Sequence, residues 1–510
     1  MKAHLLFRDR DFDVDRRPPP ESEALVRDLG LVTLFSAMTG NDAFLKGIVP
    51  KVLLDSVTEP ADIVYRQEIL KDCLDNPRTI RDVYALAVEA IERERKHWTF
   101  GTDYPAGRLH RAVEVLQDFV AVLRRLRWVA EHDAHRFRSE GFTTFFAMLR
   151  HELGDDFFAE VDRHLRSLRF RDGVLISARL GPGNKATDHV LRKPNVPEPN
   201  WFKRLFAPGP PELVWTLPPR DEGGARAMSD IRNQGVALVA AAMAESTEHI
   251  LNFFKMLQIE LAFYLGCMNL QERLSANGAA CSFPMPSAAG EREFSCRGLY
   301  DPCLSLALGK AIAGSDVAAS GIRLTIVTGA NQGGKSTFLR AVGLAHLMMQ
   351  AGMFVAAESL AANAVTRLFT HFRREEDATM QSGKLDEELS RMSGIADRLL
   401  PNALVLFNES FAATNEREGS EIARQIVRAL VDRGSKVFFV THMYEFAHGL
   451  HEEGRDDSLF LRAERLPDGT RTFRMVEGEP LDTSFGDELY RQIFIDRATD
   501  RPEEAVAESA

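Results

Sequence analysis

Between Gly329 and Thr337 the chain reads Gly-Ala-Asn-Gln-Gly-Gly-Lys-Ser-Thr, a glycine-rich stretch whose backbone can curl until successive N–H groups converge on one anion. Gly329, Ala330, Asn331, Gln332, Gly333 and Gly334 form the curl in this reading. Lys335 then bridges the β- and γ-phosphates of ATP, Ser336 offers its hydroxyl to Mg²⁺, and Thr337 stands in the first turn of a helix whose partial positive charge favours phosphate. Two further places carry matching chemistry. Ala403–Phe407 is a short apolar run ending in Asn408-Glu409, where a carboxylate can polarise a water attacking the γ-phosphate. Glu409 is the candidate base, and Asn408 the candidate metal-side residue, able to hydrogen-bond a metal-bound water but bringing no charge. Hydrolysis is therefore expected to be slow. Lys436–Val440 runs into Thr441-His442, and a histidine there can sense the γ-phosphate.

These residues need a scaffold that brings three loops to one edge. Arg323–Thr328 reads as a buried strand leading into the glycine-rich loop, and Phe338–Gln350 as the helix leaving it. After Pro302 strands alternate with helices, the pattern of a mostly parallel sheet with helical crossovers, which binds ligands at the C-terminal ends of its strands. Upstream the chain differs. Residues 22–167 carry the three- and four-residue apolar spacing of helices, as in Asp62–Leu74 and Ile80–Arg95. Near Leu168–Leu180 the period shortens around Asp172-Gly173, a hairpin signal with its turn at that pair. The proline-rich stretch from Pro182 to Pro219 cannot be regular helix and reads as an exposed connector or a pairing loop. From Gly224 to Leu274 the helical pattern returns, with Ile250, Phe253, Phe254, Leu257 and Leu261 on one stripe. That span is either one helix of roughly 75 Å able to act as a lever, or two or three shorter core helices.

With 510 residues, the chain is long enough for two to four domains. Its 45% hydrophobic and 27% charged residues are the balance of a soluble globular protein. No unbroken apolar run reaches the roughly 18–20 residues of a membrane span, and the N-terminus lacks the apolar stretch of a secretory signal. The expected location is cytoplasmic, without a membrane partner. Five cysteines without a Cys-x-x-Cys pair indicate neither a disulfide framework nor a zinc ribbon. A formal charge of −11 confines any nucleic-acid contact to a local basic patch.

The loop Thr328-Gly-Ala-Asn-Gln-Gly-Gly-Lys-Ser-Thr337 resembles the TGPNMGGKST loop of the MutS mismatch-repair ATPases. Gln350-Ala-Gly-Met-Phe-Val-Ala-Ala-Glu358 is similar to the segment that follows it in that family. Leu404–Glu409 with Thr414 and Gly419, Phe439–His442 and Thr483–Gly486 resemble later motifs in the same order. The likeness spans roughly residues 320–490, and is weaker upstream, where Tyr65-Arg-Gln-Glu68 and the long helix look like the family's core and lever. Ala330 and Gln332 stand where the family has Pro and Met. The signature STFMVEM falls on Gly383–Leu389 and loses its serine, unless Ser382 serves. No mismatch-reading domain is expected before the helical body, and Phe158-Ala-Glu160, which matches its Phe-x-Glu letters, reads as part of a surface helix.

The resemblance implies a fold of two kinds: an α-helical core and lever region with a small β insertion, and an ABC-type P-loop ATPase domain. The expected boundaries are an extension at 1–20, the helical region at 21–277, the ATPase domain at 278–495 and a disordered acidic tail at 496–510. It further implies a homodimer whose ATPase domains pair around ATP and Mg²⁺ and work a clamp on mismatched, branched or distorted DNA in repair or recombination. Arg124, Arg125 and Arg127, within the arginine-rich stretch Arg108–Arg138, are candidate DNA contacts, although an arginine-rich helix is more often a solvated or ion-paired face. A nucleotide-gated protein scaffold without DNA binding is the rival expectation, favoured by the acidic charge and by Asn408.

Overall fold

The computed structural model describes residues 1–97, 104–170, 173–193, 214–374 and 383–481. They form two compact units. The first takes Met1–Ala3, Arg78–Arg138 and Phe142–Glu260; the second takes His4–Pro77, Ser139–Gly141 and the chain from Leu261 onward.

The first unit is helical, with Pro77–Lys96, Pro105–His132, Asp155–Ser167 and the early part of Glu222–Ala276 as its main elements. Its interior is rich in phenylalanine: Phe119 meets Phe254 at 5.7 Å between ring centres, and Phe145 stacks on Phe253 at 6.4 Å. Each such pair contributes about 0.5–1.5 kcal/mol beyond its buried area. One hairpin interrupts the helices, β1 (Leu175–Leu180) with β2 (Ala186–Arg192), antiparallel. Its turn lies at Gly181–Lys185, closed by the Gly181 N–H on the Lys185 carbonyl at 2.8 Å. The Asp172-Gly173 turn expected from sequence is therefore corrected: Gly173, in a left-handed conformation, precedes β1, and both β runs lie after it. Most of the proline-rich stretch lies outside the described residues.

Glu222–Ala276 is one continuous helix of 55 residues, which decides between the lever and the broken alternative. One 18-residue window of it is long and apolar enough to cross a membrane by composition alone, yet 61% of that window is buried within the protein. Phe253, Phe254, Leu257 and Leu261, which share a stripe in the sequence, are all buried.

The second unit holds two sheets. The smaller has four strands in the order β3 (Met285–Ser287), β7 (Ser359–Asn363), β4 (Phe294–Leu299), β5 (Ser315–Ala318). The larger has six: β12 (Arg471–Glu477), β11 (Ser458–Arg465), β6 (Leu324–Thr328), β10 (Lys436–Val440), β9 (Leu404–Asn408) and β8 (Leu368–Phe372). From β11 to β8 every neighbouring pair is parallel, and only β12 runs antiparallel. All five residues of β6 and of β10 are buried, as befits strands covered on both faces. Phe407 on β9 stacks against Phe439 on β10 at 4.9 Å, and Phe446 closes on Phe439 at 4.8 Å.

Helices from the start of the chain brace this sheet. Arg66, fully buried, donates from Nε to the Leu6 carbonyl at 2.9 Å and from Nη1 to the Ala351 carbonyl at 3.4 Å, just past the end of the helix Lys335–Gln350. A cation at that end is favoured by the helix dipole. Gly352 leaves it room: with φ 80° it takes a left-handed turn, and a Cβ there would lie 2.2 Å from Arg66 Cβ. Gln350, also buried, donates to the Val57 and Val365 carbonyls at 3.1 and 2.9 Å and accepts from the Val365 N–H at 3.0 Å. The Gln350-Ala-Gly segment is thus fixed by packing.

Candidate functional site

The sheet decides what meets what. The chain leaves β6 for the β8 side, returns through β9 to β10, and crosses to β11 on the other side of β6. At such a reversal two neighbouring strands send their loops opposite ways and open a crevice at their C-terminal ends. A cleft of about 360 Å³ lies there, lined by Thr328, Gly329 and Asn331 after β6, Arg373 after β8, Glu409 after β9, and Thr441 and His442 after β10.

The loop after β6 turns sharply into the helix Lys335–Gln350. Gly334 sits at its N-cap with φ 92°, and no side chain caps the helix, so its first-turn N–H groups are left for an anion. Gly334 also packs closely, since a Cβ there would lie 3.2 Å from the Phe473 carbonyl oxygen. Gln332, at φ 61°, accepts from Arg471 Nη1 at 3.0 Å, tying the loop to β12. The Lys335 ammonium donates to the Gly329 and Ala330 carbonyls at 2.7 and 3.0 Å, which holds its stem along the loop. Burial pushes its pKa down, opposed by the Glu409 carboxylate. An anion at the loop would restore the charge that burial disfavours.

Ser336 Oγ donates to Asn408 Oδ1 at 2.8 Å. Two neutral oxygens side by side where β9 meets the start of that helix, with the Glu409 carboxylate following Asn408, suit Mg²⁺, which takes one or two protein oxygens and completes its shell with water and phosphate. Glu409 has φ 52°, unusual for a residue with a side chain, and its N–H donates to the Val440 carbonyl at 2.9 Å. Its carboxylate is 30% exposed and lies 4.0 Å from His442 Nδ1. The structure thus brings Lys335, Ser336, Asn408, Glu409 and His442 to one sheet edge.

Behind Glu409 lies a buried link that spacing alone does not reveal. His371 Nδ1 is 2.7 Å from Ser410 Oγ, and its Nε2 faces the Glu388 carbonyl at 2.9 Å. Burial pushes the His371 pKa down to about 4, so the ring is neutral, with Nε2–H donating to the Glu388 carbonyl, and Ser410 Oγ donates to the His371 carbonyl at 2.5 Å. The Glu388 carboxylate, itself buried, accepts from the Phe411 N–H at 2.7 Å. Glu388 belongs to the helix Lys384–Ala396, which begins just after Gly383, within the stretch aligned with the family signature. Ser382 and the Thr483–Gly486 motif lie outside the described residues, as does the tail from 496.

A second cleft, about 380 Å³ and mostly apolar, meets the other end of the loop at Gly334 and Thr337, with Leu304, Leu308, Ile312, Phe338 and Phe473 among its walls. Phe473 is 54% exposed with φ 61°. Its position on the last strand, far from the loop in sequence, gave no signal.

The three candidate DNA-contacting arginines belong to the first unit. Arg124 reaches Asp162 at 2.8 Å, Arg125 reaches Glu89 at 2.5 Å, and Arg127 reaches Glu131 and Asp155, each at 2.6 Å. Arg124 also lies over the ring of Phe158, 4.3 Å from its centre. Phe158 is 2% exposed, so it is a core side chain beneath that arginine rather than a surface residue.

Among known families, one described as MutS domain V matches residues 325–507, and one described as the MutS2 N-terminal domain matches residues 58–277. The chain belongs to the MutS family. The first cleft of this MutS-family chain lies within the stretch matched by domain V, whereas most of the second cleft's walls come from residues 299–315, ahead of it. The DNA mismatch repair protein MutS of Thermotoga neapolitana is 32% identical over 185 residues, 36% of this chain and 23% of that protein. The protein of the same name from Chloroflexus aurantiacus is 31% identical over 149 residues, 28% of this chain and 15% of that protein. That from Streptococcus equi is 30% identical over 187 residues, covering 36% and 21%. The MutS-family chain thus aligns with less than a quarter of the length of these relatives.

Proposed function

We propose that the protein is an ATP-dependent DNA-binding ATPase, in which ATP binding and hydrolysis drive a dimeric clamp on mismatched, branched or distorted DNA during repair or recombination. The observation that carries the nucleotide part is the glycine-rich loop that leads into the uncapped helix start at Gly334-Lys335, with its Gly329 and Asn331 lining one cleft together with Glu409 and His442. The loop N–H groups and Lys335 hold the β- and γ-phosphates, while the apolar cleft beside Phe473 takes the adenine. Ser336 and Asn408 hold Mg²⁺, which supplies charge neutralisation at the phosphates when bound. Glu409 orients a water in line with the γ-phosphorus and accepts its proton as the new P–O bond forms. The bond to the β–γ bridging oxygen breaks, and Lys335 stabilises the charge gathering there. His442, 4.0 Å from Glu409, reports whether the γ-phosphate is present. With Asn408 in place of a carboxylate, turnover is slow.

The DNA part rests on family membership and on the MutS2 N-terminal match over the helical half. Contacts to phosphates rather than bases suit a chain whose arginines are dispersed among acids. The test is binding of the purified protein to homoduplex, mismatched and four-way-junction DNA, with and without ATP, at two salt concentrations. Expected is ATP-sensitive binding that weakens as salt rises, since phosphate contacts release counterions. ATP binding with no DNA binding at low salt would favour a nucleotide-gated protein scaffold.

A further inference from the structure

The cleft that faces the loop contains a cation that the chemistry above does not use. Arg373 follows β8 directly, and its N–H donates to the Asn408 carbonyl at 2.9 Å, so the backbone holds it beside the Asn408-Glu409 pair. It is exposed and lines the same cleft as Gly329, Asn331, Glu409 and His442. Its neighbour Arg374 is turned to Glu387 at 3.1 Å, whereas the Arg373 guanidinium makes no ion pair or hydrogen bond among the described residues. The residue next to it across the sheet is the neutral Asn408, and the buried Glu388 carboxylate, which feels the arginine's charge, is held by the Phe411 N–H. A planar guanidinium at the rim of a phosphate cleft offers paired donors that match two oxygens of one terminal phosphate.

We propose that Arg373 is a ligand of the γ-phosphate, supplied by the same chain, through which the site tells ATP from ADP. The proposal rests on the nucleotide reading of the cleft and adds to it. Lys335 reaches both phosphates from the loop side, and Arg373 reaches only the outermost from the opposite wall. Its loss therefore weakens a triphosphate far more than a diphosphate. With Asn408 uncharged, Arg373 also takes over part of the neutralisation, so that triphosphate binding persists when Mg²⁺ is chelated.

The test is calorimetric titration of the full chain with the non-hydrolysable triphosphate AMP-PNP and with ADP, each with Mg²⁺ and with EDTA. The proteins are the natural chain, Arg373→Ala, Arg373→Lys and, as a neighbouring control, Arg374→Ala. Expected for Arg373→Ala is about tenfold weaker AMP-PNP binding with ADP within about twofold, the size of one charge-assisted contact. Arg373→Lys recovers part of the loss, Arg374→Ala behaves as the natural chain, and the EDTA-resistant binding disappears in Arg373→Ala. Unchanged AMP-PNP affinity in Arg373→Ala, or equal losses for AMP-PNP and ADP, would overturn the assignment while leaving the nucleotide site standing. Failure of the natural chain to bind either nucleotide would remove both.

Discussion

At the residue scale the proposed chemistry turns on one carboxylate. Glu409 leaves β9 with a left-handed backbone that its N–H bond to Val440 holds in place. That conformation aims its side chain at the cleft shared with His442 instead of continuing the strand. Glu409→Gln keeps the size and the hydrogen-bonding capacity but cannot accept the water's proton. Phosphate release is expected to fall about a hundredfold or more, with ATP affinity within about twofold, measured by a coupled phosphate assay and by equilibrium binding. An unchanged rate would take Glu409 out of the base role. The motif residues around it were readable from spacing, because a loop that grips phosphate uses contiguous backbone. Arg373 and Phe473 were not, since each is an ordinary residue at a strand end or in mid-strand until the sheet sets it beside the loop.

Among the elements, the helix Lys384–Ala396 matters most for how the site is held. Its Glu388 carboxylate accepts from the Phe411 N–H, two residues past Glu409, and its backbone carbonyl accepts from His371. Any movement of the helix therefore pulls on the segment carrying Glu409. Glu388→Ala strands a buried N–H, at a cost of about 1–3 kcal/mol, and is expected to lower the midpoint of urea unfolding and the hydrolysis rate together. Glu388→Gln keeps an acceptor and should restore most of both; equal stability of the alanine variant and the natural chain would show that the bond carries no load. The long helix makes the complementary point about legibility. Its apolar stripe was visible in the sequence, but continuity through 55 residues was open to two readings, because a 3.6-residue period is the same in one helix or in three. The hairpin was placed one strand too early because Asp172-Gly173 has turn-forming letters, while the turn actually closes between Gly181 and Lys185.

For the whole molecule, stability should depend on acid. His346 and His371 are both buried, and burial pushes each down to about 4 from an ordinary 6.5. His346 stacks on Phe294 and donates from Nδ1 to the Val342 carbonyl, and His371 lies against Ser410, next to Glu409. Between those values the unfolded chain binds protons that the folded chain refuses, so stability rises with pH across the window. It is complete above about 6.5 and is lost as pH falls toward about 4, on the order of 3 kcal/mol for each ring. The urea midpoint at about pH 7 should exceed that at about pH 4.5, and His346→Gln should remove roughly half of the difference. A midpoint that does not move would mean these rings are not buried neutral.

The sequence by itself determined the glycine-rich loop suited to phosphate and that strands and helices would alternate around it. Both are local: a glycine-rich turn, a basic residue and a helix start lie within nine positions, and burial on both faces writes itself as unbroken apolar strands. Tertiary structure decided which distant residues share the cleft. The strand order β11-β6-β10-β9-β8 sets Thr328, Arg373, Glu409 and His442 along one edge. It also decided that Arg124, Arg125 and Arg127 spend their charge on Asp162, Glu89, Glu131 and Asp155. Side-chain partners are a property of which elements pack together, and residue spacing along one element carries no record of the charges on its neighbours.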